Sequence, residues 1–226
     1  MKFLFIDELN NVVRYPVTIS DLQKEIPYIS FNDTMDIDTV VEVCRFHIPK
    51  IRVEKVTEVA APTPKPFTNT VEVNPVFQGN VWRQTWNVVD FSLQNAKKAA
   101  SDGIDAKADE ARKALVPNET LYVEYDLTSR AALAFRAHGY HTDKEVDKSI
   151  ACWAAIRKVS LQEATDDIIA RHDAYVGLIN DIREARLLAK AGIEYATTVD
   201  EVRGVYIPSM NTLSALEEQA LAIWSK

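Results

Sequence analysis

Trp82-Arg83-Gln84-Thr85-Trp86-Asn87-Val88-Val89-Asp90-Phe91-Ser92-Leu93-Gln94-Asn95-Ala96-Lys97-Lys98-Ala99-Ala100 decides how this chain folds. Up to Asp90 the pattern has a period of two, and Trp82, Trp86 and Val88 fall on one face of an extended segment, where burial of the two indoles is expected. Beyond Asp90 the period lengthens toward 3.6. Ser92 stands at an N-cap position, and Leu93, Ala96, Ala100, Ile104, Ala108, Ala111 and Leu115 share one helical stripe that stops before Pro117. The fold class this implies is α+β. A small β-rich N-terminal unit spans residues 1–90, a connecting helix and a short strand span 91–126, and an α-helical unit spans 127–226.

Working back from that switch, Gln78-Gly79-Asn80 separates the apolar runs 71–76 and 81–89 and reads as a hairpin turn. Pro62-Thr63-Pro64-Lys65-Pro66 can form neither a ladder nor a helix and reads as an extended loop. Residues 40–48 and 51–59 are rich in β-branched side chains and read as strands parted at Pro49-Lys50. Ser20-Asp21-Leu22-Gln23 fits a capping box for a short helix stopped at Pro27. Phe3, Phe5, Val12, Val13 and Tyr15 flank the turn cluster 7–11 as an opening hairpin would.

Working forward, the stripe after Ser92 is mostly alanine, which allows close approach of another helix but buries little area per residue. Such a helix needs a packing partner. Gly103 in its middle costs about 1 kcal/mol against Ala and marks a kink or break. Leu121, Val123 and Tyr125 alternate as a short strand, and from Thr128 the chain reads as helical. Thr142-Asp143-Lys144-Glu145 and Ser160-Leu161-Gln162-Glu163 each fit a capping box. The second opens a long helix carrying Ala164, Ile168, Tyr175, Ile179, Ile182 and Ala189, with Gly192 at its end. Thr198-Val199-Asp200-Glu201 caps a short turn broken by Pro208, and a final helix starts at Asn211 or Thr212 and runs through Leu216, Ala220 and Trp224.

The chain has 226 residues, of which 47% are hydrophobic and 26% charged, so it has the composition of a folded globular protein. Its net charge of −7 repels phosphate backbones, which argues against nucleic acid as a partner. Two cysteines, Cys44 and Cys152, cannot build a disulfide framework; each lies in an apolar run and is expected to act as a packing residue in a reducing cytosol. The opening apolar run is too short for a signal peptide, and no stretch is long enough to enter a membrane, so a soluble protein with no membrane insertion is expected.

Chemistry is sparse. Asp33, Asp36 and Asp38 could offer oxygen ligands to a hard cation but lack the glycine and closing glutamate of a calcium loop, and a solvated turn with Asx caps accounts for them more simply. His138 and His141, with the more distant His172 and Asp173, lack the spacing of a zinc site; His138 suits the dipole at a helix C-terminus. Asp166, Asp167 and Asp173 complement the dipole of the long helix, while Arg183 and Arg186 are expected to pair with acidic neighbours such as Asp181 or Glu184. Six glycines provide no phosphate loop, dinucleotide fingerprint or nucleophile elbow. No catalytic, cofactor-binding or metal residue is assigned.

The order of features resembles a known class. Ser20-Asp21-Leu22-Gln23-Lys24-Glu25-Ile26-Pro27-Tyr28-Ile29-Ser30-Phe31 is followed by strands, a Pro-rich loop, and Val76-Phe77-Gln78-Gly79-Asn80-Val81-Trp82-Arg83-Gln84-Thr85-Trp86-Asn87-Val88. That last stretch, with an Ala/Lys-rich helix after it, is similar to a module of tailed-bacteriophage tail-fibre and baseplate-associated proteins. The likeness covers about the first 115 residues. The later Trp153-Ala154-Ala155-Ile156-Arg157 and Ile182–Leu187 segments are similar in flavour to helical C-terminal parts of the same class. The resemblance implies a virion structural protein, made in the host cytoplasm and carried in the tail, that acts as a fibre or baseplate adaptor through protein–protein interfaces and not by catalysis. Its partners would be other phage tail proteins and further copies of itself, with trimeric symmetry suiting a fibre, and no cofactor is implied. The alternative in the same class is a tail-fibre assembly chaperone that leaves before the virion is complete. Trp82 and Trp86, with the stripe of Leu93, Ala96, Ala100, Ile104, Ala108, Ala111 and Leu115, are the candidate structural and interface residues.

Overall fold

Strand β1 (Phe3–Ile6) has no exposed side chain, and that sets the N-terminal unit around it. In the computed structural model, which describes residues 2–32, 34–48, 50–115, 119–143 and 145–224, the chain divides into two compact units, Met1–Phe91 and Ser92–Lys226. Asp33, Pro49, Pro117 and Lys144, which entered the sequence reading, lie outside the described residues. The α+β class is observed, with a β-sheet unit followed by a helical one.

In the first unit β1 pairs antiparallel with β2 (Val12–Val17) and with β3 (Arg52–Thr57). β3 runs parallel to β5 (Val81–Asp90), which forms a long antiparallel hairpin with β4 (Thr68–Gln78). The order is β2-β1-β3-β5-β4, and side chains of the outer strands β2 and β4 meet, so the five-stranded sheet nearly closes. Gly79 and Asn80 both have positive φ, +61° and +64°, the backbone that a two-residue hairpin turn requires. Leu4 and Ile6 face an inner apolar layer with Val56, Val12, Tyr15 and Trp82. Phe3 and Phe5, on the opposite face, join Val17, Val53 and the two helices α1 (Ile19–Glu25) and α2 (Ile37–His47).

Two expectations fail here. Residues 40–48 are not a strand; most of them belong to helix α2, which buries Val40, Val41 and Cys44 on one side. Asp36 caps it, its carboxylate accepting from the amides of Asp38 (3.0 Å) and Thr39 (3.1 Å). The β-branched run suits a strand locally, but the i, i+1, i+4 spacing of those three residues suits the sheet-covering face better, and packing overrides propensity. The cap of α1 is Thr18 rather than Ser20, closed by Asp21 and not Gln23. Gln23 instead spans a loop, donating to the Ile29 carbonyl at 2.5 Å and accepting from the Phe31 amide at 2.9 Å.

Among the described residues the regular elements of the second unit are all helices: α3 (Leu93–Leu115), α4 (Glu119–Ala137), α5 (Lys148–Arg157), α6 (Leu161–Tyr195) and α7 (Val199–Trp224). Ser92 accepts from the Asn95 amide at 3.3 Å, and Ser160 with Glu163 forms the expected capping box. α6 has 35 residues and so runs about 52 Å at 1.5 Å per residue. One side of its first half packs with α4 and α5 around Ala132, Ile150, Ile168 and Ile169; its second half packs with α3 and α7.

Further expectations are corrected in this unit. The expected strand through Leu121, Val123 and Tyr125 is part of α4. Gly103 interrupts nothing, and Gly192 is inside α6, which ends at Tyr195. Pro208 lies within one continuous α7: Val202 before it and Leu213, Leu216 and Ala220 after it are all buried, offsetting the roughly 3 kcal/mol cost of a mid-helix proline. The Thr142–Glu145 box starts no helix; α5 begins at Lys148 under Asp147, whose carboxylate accepts from the Ser149 amide at 2.8 Å.

Candidate functional site

The inner face of the near-closed sheet carries one polar cluster among its apolar residues. Alternation puts Gln84 between Trp82 and Trp86 on β5, and Glu72 stands opposite Trp86 on β4. Gln84 is buried, donating to Glu72 Oε1 at 2.6 Å and accepting from the Val59 amide at 3.0 Å. Tyr15 of β2 donates its hydroxyl hydrogen to the same Glu72 oxygen, and Lys2, just before β1, pairs with Oε2. Burial works against the charge on Glu72, but hydrogen bonds from Lys2, Tyr15 and Gln84 outweigh it and keep the carboxyl below the usual range. Burial, then the adjoining carboxylate, pushes the Tyr15 hydroxyl well above an ordinary phenol. Glu72 therefore stays an anion and Tyr15 a donor at neutral pH. What the cluster does chemically is join β2 to β4 through side chains.

Trp82 and Trp86 share that face, as alternation requires, but neither is buried to the extent expected: both are half-buried. Trp82 covers the layer of Leu4, Ile6 and Val56 and stacks at a tilt on Phe77, with centroids 5.4 Å apart. Trp86 sits farther along the hairpin, where β3 has ended, and its indole N–H donates to the Val59 carbonyl at 2.9 Å. Val88, next on the same face, is exposed. The hairpin outlasts the strand beside it, so its inner face runs out of cover.

The alanine stripe has its packing partner within the chain. Ala96, Ala100, Ile104, Ala108, Ala111 and Leu115 are fully buried and Leu93 half-buried, with α6 and α7 against α3. Asp105 fixes the α3–α6 pairing by accepting from Arg186 and Lys190, each at 2.6 Å. Hydrogen bonds from Lys190 first, and from Arg186, hold its carboxyl below the usual range. Lys107 of α3 pairs with Glu217 of α7, and Lys97 donates to the Glu194 carbonyl (2.6 Å) in the last turn of α6. Arg186 thus finds a partner on another helix and not the near neighbours expected of it.

The remaining candidates are in structural roles. Asp36 caps α2 and Asp38 lies in its first turn. His138 Nε2 is 2.9 Å from Asp143 Oδ1, and the His138 and His141 rings meet edge to face. Asp166 accepts from the Tyr140 hydroxyl at 2.6 Å, and Asp167 accepts from the Trp153 indole at 2.8 Å and from Arg171 at 3.1 Å. The Arg157 and Arg171 guanidinium groups lie over the Trp153 ring, at 4.9 and 5.4 Å from its centroid. Cys44 is buried in α2, whereas Cys152 is exposed on α5 and is not the packing residue expected. Among the described residues, no group of three or more His, Cys, Asp or Glu side chains is placed to hold a metal ion, and no helix is long and apolar enough to cross a membrane.

Sequence reading missed the exposed apolar residues of the hairpin and of the long helices. On the β4–β5 hairpin Val71, Val76, Phe77, Val88 and Val89 are about half exposed, Phe77 at 58%. In the helical unit Leu187, Leu188 and Tyr195 of α6 and Ile207 and Leu221 of α7 are exposed. The signal was available on the strands: β-branched residues on both faces of a hairpin, more than one core can cover. Family models, curated proteins and solved structures yield no match to this chain.

Proposed function

We propose that this chain is a structural protein of a bacteriophage tail, a fibre or baseplate adaptor that acts through protein–protein interfaces and performs no catalysis. The observation that carries the reading is the set of exposed apolar residues on the β4–β5 hairpin, Val71, Val76 and Val89 on one face and Phe77 and Val88 on the other, on the segment whose Gly-x-Trp-x-Gln-x-Trp pattern resembles that class. Apolar residues concentrated on one element are the kind of surface a partner chain covers.

In this reading the sheet unit docks by its hairpin on another tail protein, and exposed α6 and α7 residues add contacts to further copies or partners. Mass spectrometry of purified particles tests it directly. The adaptor should be present in fixed proportion to the fibre or baseplate protein. Its presence in infected cells with absence from particles would instead identify an assembly chaperone, and absence of any binding to tail proteins would refute both.

A further inference from the structure

We infer that the β4–β5 hairpin is a flap, closed over the inner apolar layer of the sheet unit by Glu72 acting as a latch between β4 and β2. The argument starts from how little main chain attaches the hairpin to the rest of the sheet. β4 and β5 pair with each other along almost their whole length, Thr68↔Asp90 to Gln78↔Val81. To the other strands the ladder contributes, among the described residues, only the parallel pairs Val56↔Trp82 and Thr57↔Arg83. Beyond these, Val59 continues the attachment, its amide donating to Gln84 and its carbonyl accepting from Trp86.

At the opposite edge, no ladder joins β2 and β4 among the described residues; they are the two ends of the strand order. Side chains close that seam. Tyr15 comes from β2, Lys2 from the start of β1, Gln84 from β5, and all three converge on one carboxylate from β4. The mechanical consequence is asymmetric. The face carrying Phe3, Phe5, Val17 and Val53 is covered by α1 and α2 and does not depend on Glu72. The opposite layer of Leu4, Ile6, Val12, Tyr15 and Val56 is covered by Trp82, which moves with the hairpin. Releasing the carboxylate therefore opens one side of the unit and leaves the other packed. Opening would present an apolar layer and two unpaired strand edges together, the features by which an extended segment adds to a sheet.

Hydroxyl-radical footprinting with mass-spectrometric readout on the full chain tests this, because opening exposes side chains while the β1–β2 and β4–β5 ladders persist. Glu72→Ala should raise oxidation of Leu4, Ile6 and Trp82 several-fold, with Phe3, Phe5 and Leu22 on the helix-covered face unchanged. Tyr15→Phe, which removes one arm only, should raise the same residues by less. If Glu72→Ala unfolds the whole unit, Tyr15→Phe decides by the same pattern. Oxidation that stays at the wild-type level in both variants, or that rises equally on the two faces, would overturn the latch.

Discussion

Tyr206 of α7 lies across Gly103 of α3: a Cβ at Gly103 would stand 3.0 Å from the Tyr206 hydroxyl oxygen and 3.1 Å from Cε2. The glycine that weakens α3 locally thus leaves room for a side chain of α7, and Gly192 of α6 plays the same part against Val205 of α7, at 3.0 Å. A larger side chain has no room to settle. Gly103→Leu should cost roughly 1–3 kcal/mol through overpacking. Gly103→Ala sets a propensity gain of about 1 kcal/mol against displacement of the tyrosine. Because the nearest atom is the hydroxyl, Ala should be better tolerated in a Tyr206→Phe background than in the wild type. A double-mutant cycle from urea unfolding measures this, and zero coupling would show that the hydroxyl does not set the approach.

The alanine stripe extends the argument to the full length of α3. Ala100 and Ala108 are fully buried against helices of the same chain, so Ala100→Leu should destabilise the helical unit by about 1–3 kcal/mol. Light scattering should find its association state unchanged. A variant that stayed as stable as the wild type but lost self-association would place the stripe at an interface between copies.

Trp86 has a measurable role that its half-burial fixes. It covers no closed core, yet its indole N–H donates to the Val59 carbonyl and anchors the hairpin to the chain leaving β3. Trp86→Ala should cost about 1–3 kcal/mol, the sum of partial area loss and one hydrogen bond, and less than a fully buried tryptophan would. Trp86→Phe should recover the packing part alone. Thermal unfolding of the two variants separates the contributions.

Much of this architecture was legible in the sequence, and the failures have a common physics. The switch of period at Asp90 is met by the end of β5 at Asp90 and the start of α3 at Leu93. Ser92 and Ser160 cap where they are expected to, since their side chains satisfy amides within the same turn. What could not be read were outcomes set by distant residues. Val40, Val41 and Cys44 are helical because the sheet needs a cover, and Pro208 is tolerated because α3 and α6 bury the residues on either side of it. The Glu72 cluster draws on Lys2, Tyr15 and Gln84, separated by up to 82 positions, and no local pattern links them. Even so, Val71-Glu72-Val73 gave a hint, a charge flanked by valines on the face shared with two tryptophans.

The two thiols should differ sharply in reactivity. Cys44 is fully buried, and burial pushes its thiol up to about 11, whereas Cys152 is exposed on α5. Only the thiolate is nucleophilic, so at pH 8 a thiol reagent should modify Cys152 rapidly and Cys44 slowly in the native protein. In denaturant both should react. Peptide mapping after brief alkylation identifies the site, and equal labelling of Cys44 in the native state would contradict its place under the sheet.

Glu72 gives the unit an acid limit whose direction follows from its partners. Its carboxyl is held below the ordinary range in the folded chain, through the bonds from Lys2, Tyr15 and Gln84 acting against burial. The unfolded chain has no such cluster and titrates near the free value of about 4.3. Below that value the unfolded state binds a proton that the native state resists, so stability falls as pH drops toward the folded pKa. Above it both states are ionised and the contribution is constant. Glu72→Gln should therefore lose about 1–3 kcal/mol at pH 7, and its deficit relative to the wild type should be flat from pH 8 to about 5 and shrink below that. Lys2 is partly exposed, and salt should erode its share of the loss more than that of Tyr15 or Gln84. Urea titrations of both proteins across that range measure it. A deficit that grew on acidification would mean that the carboxyl is raised in the folded chain and that the three donors do not hold it ionised.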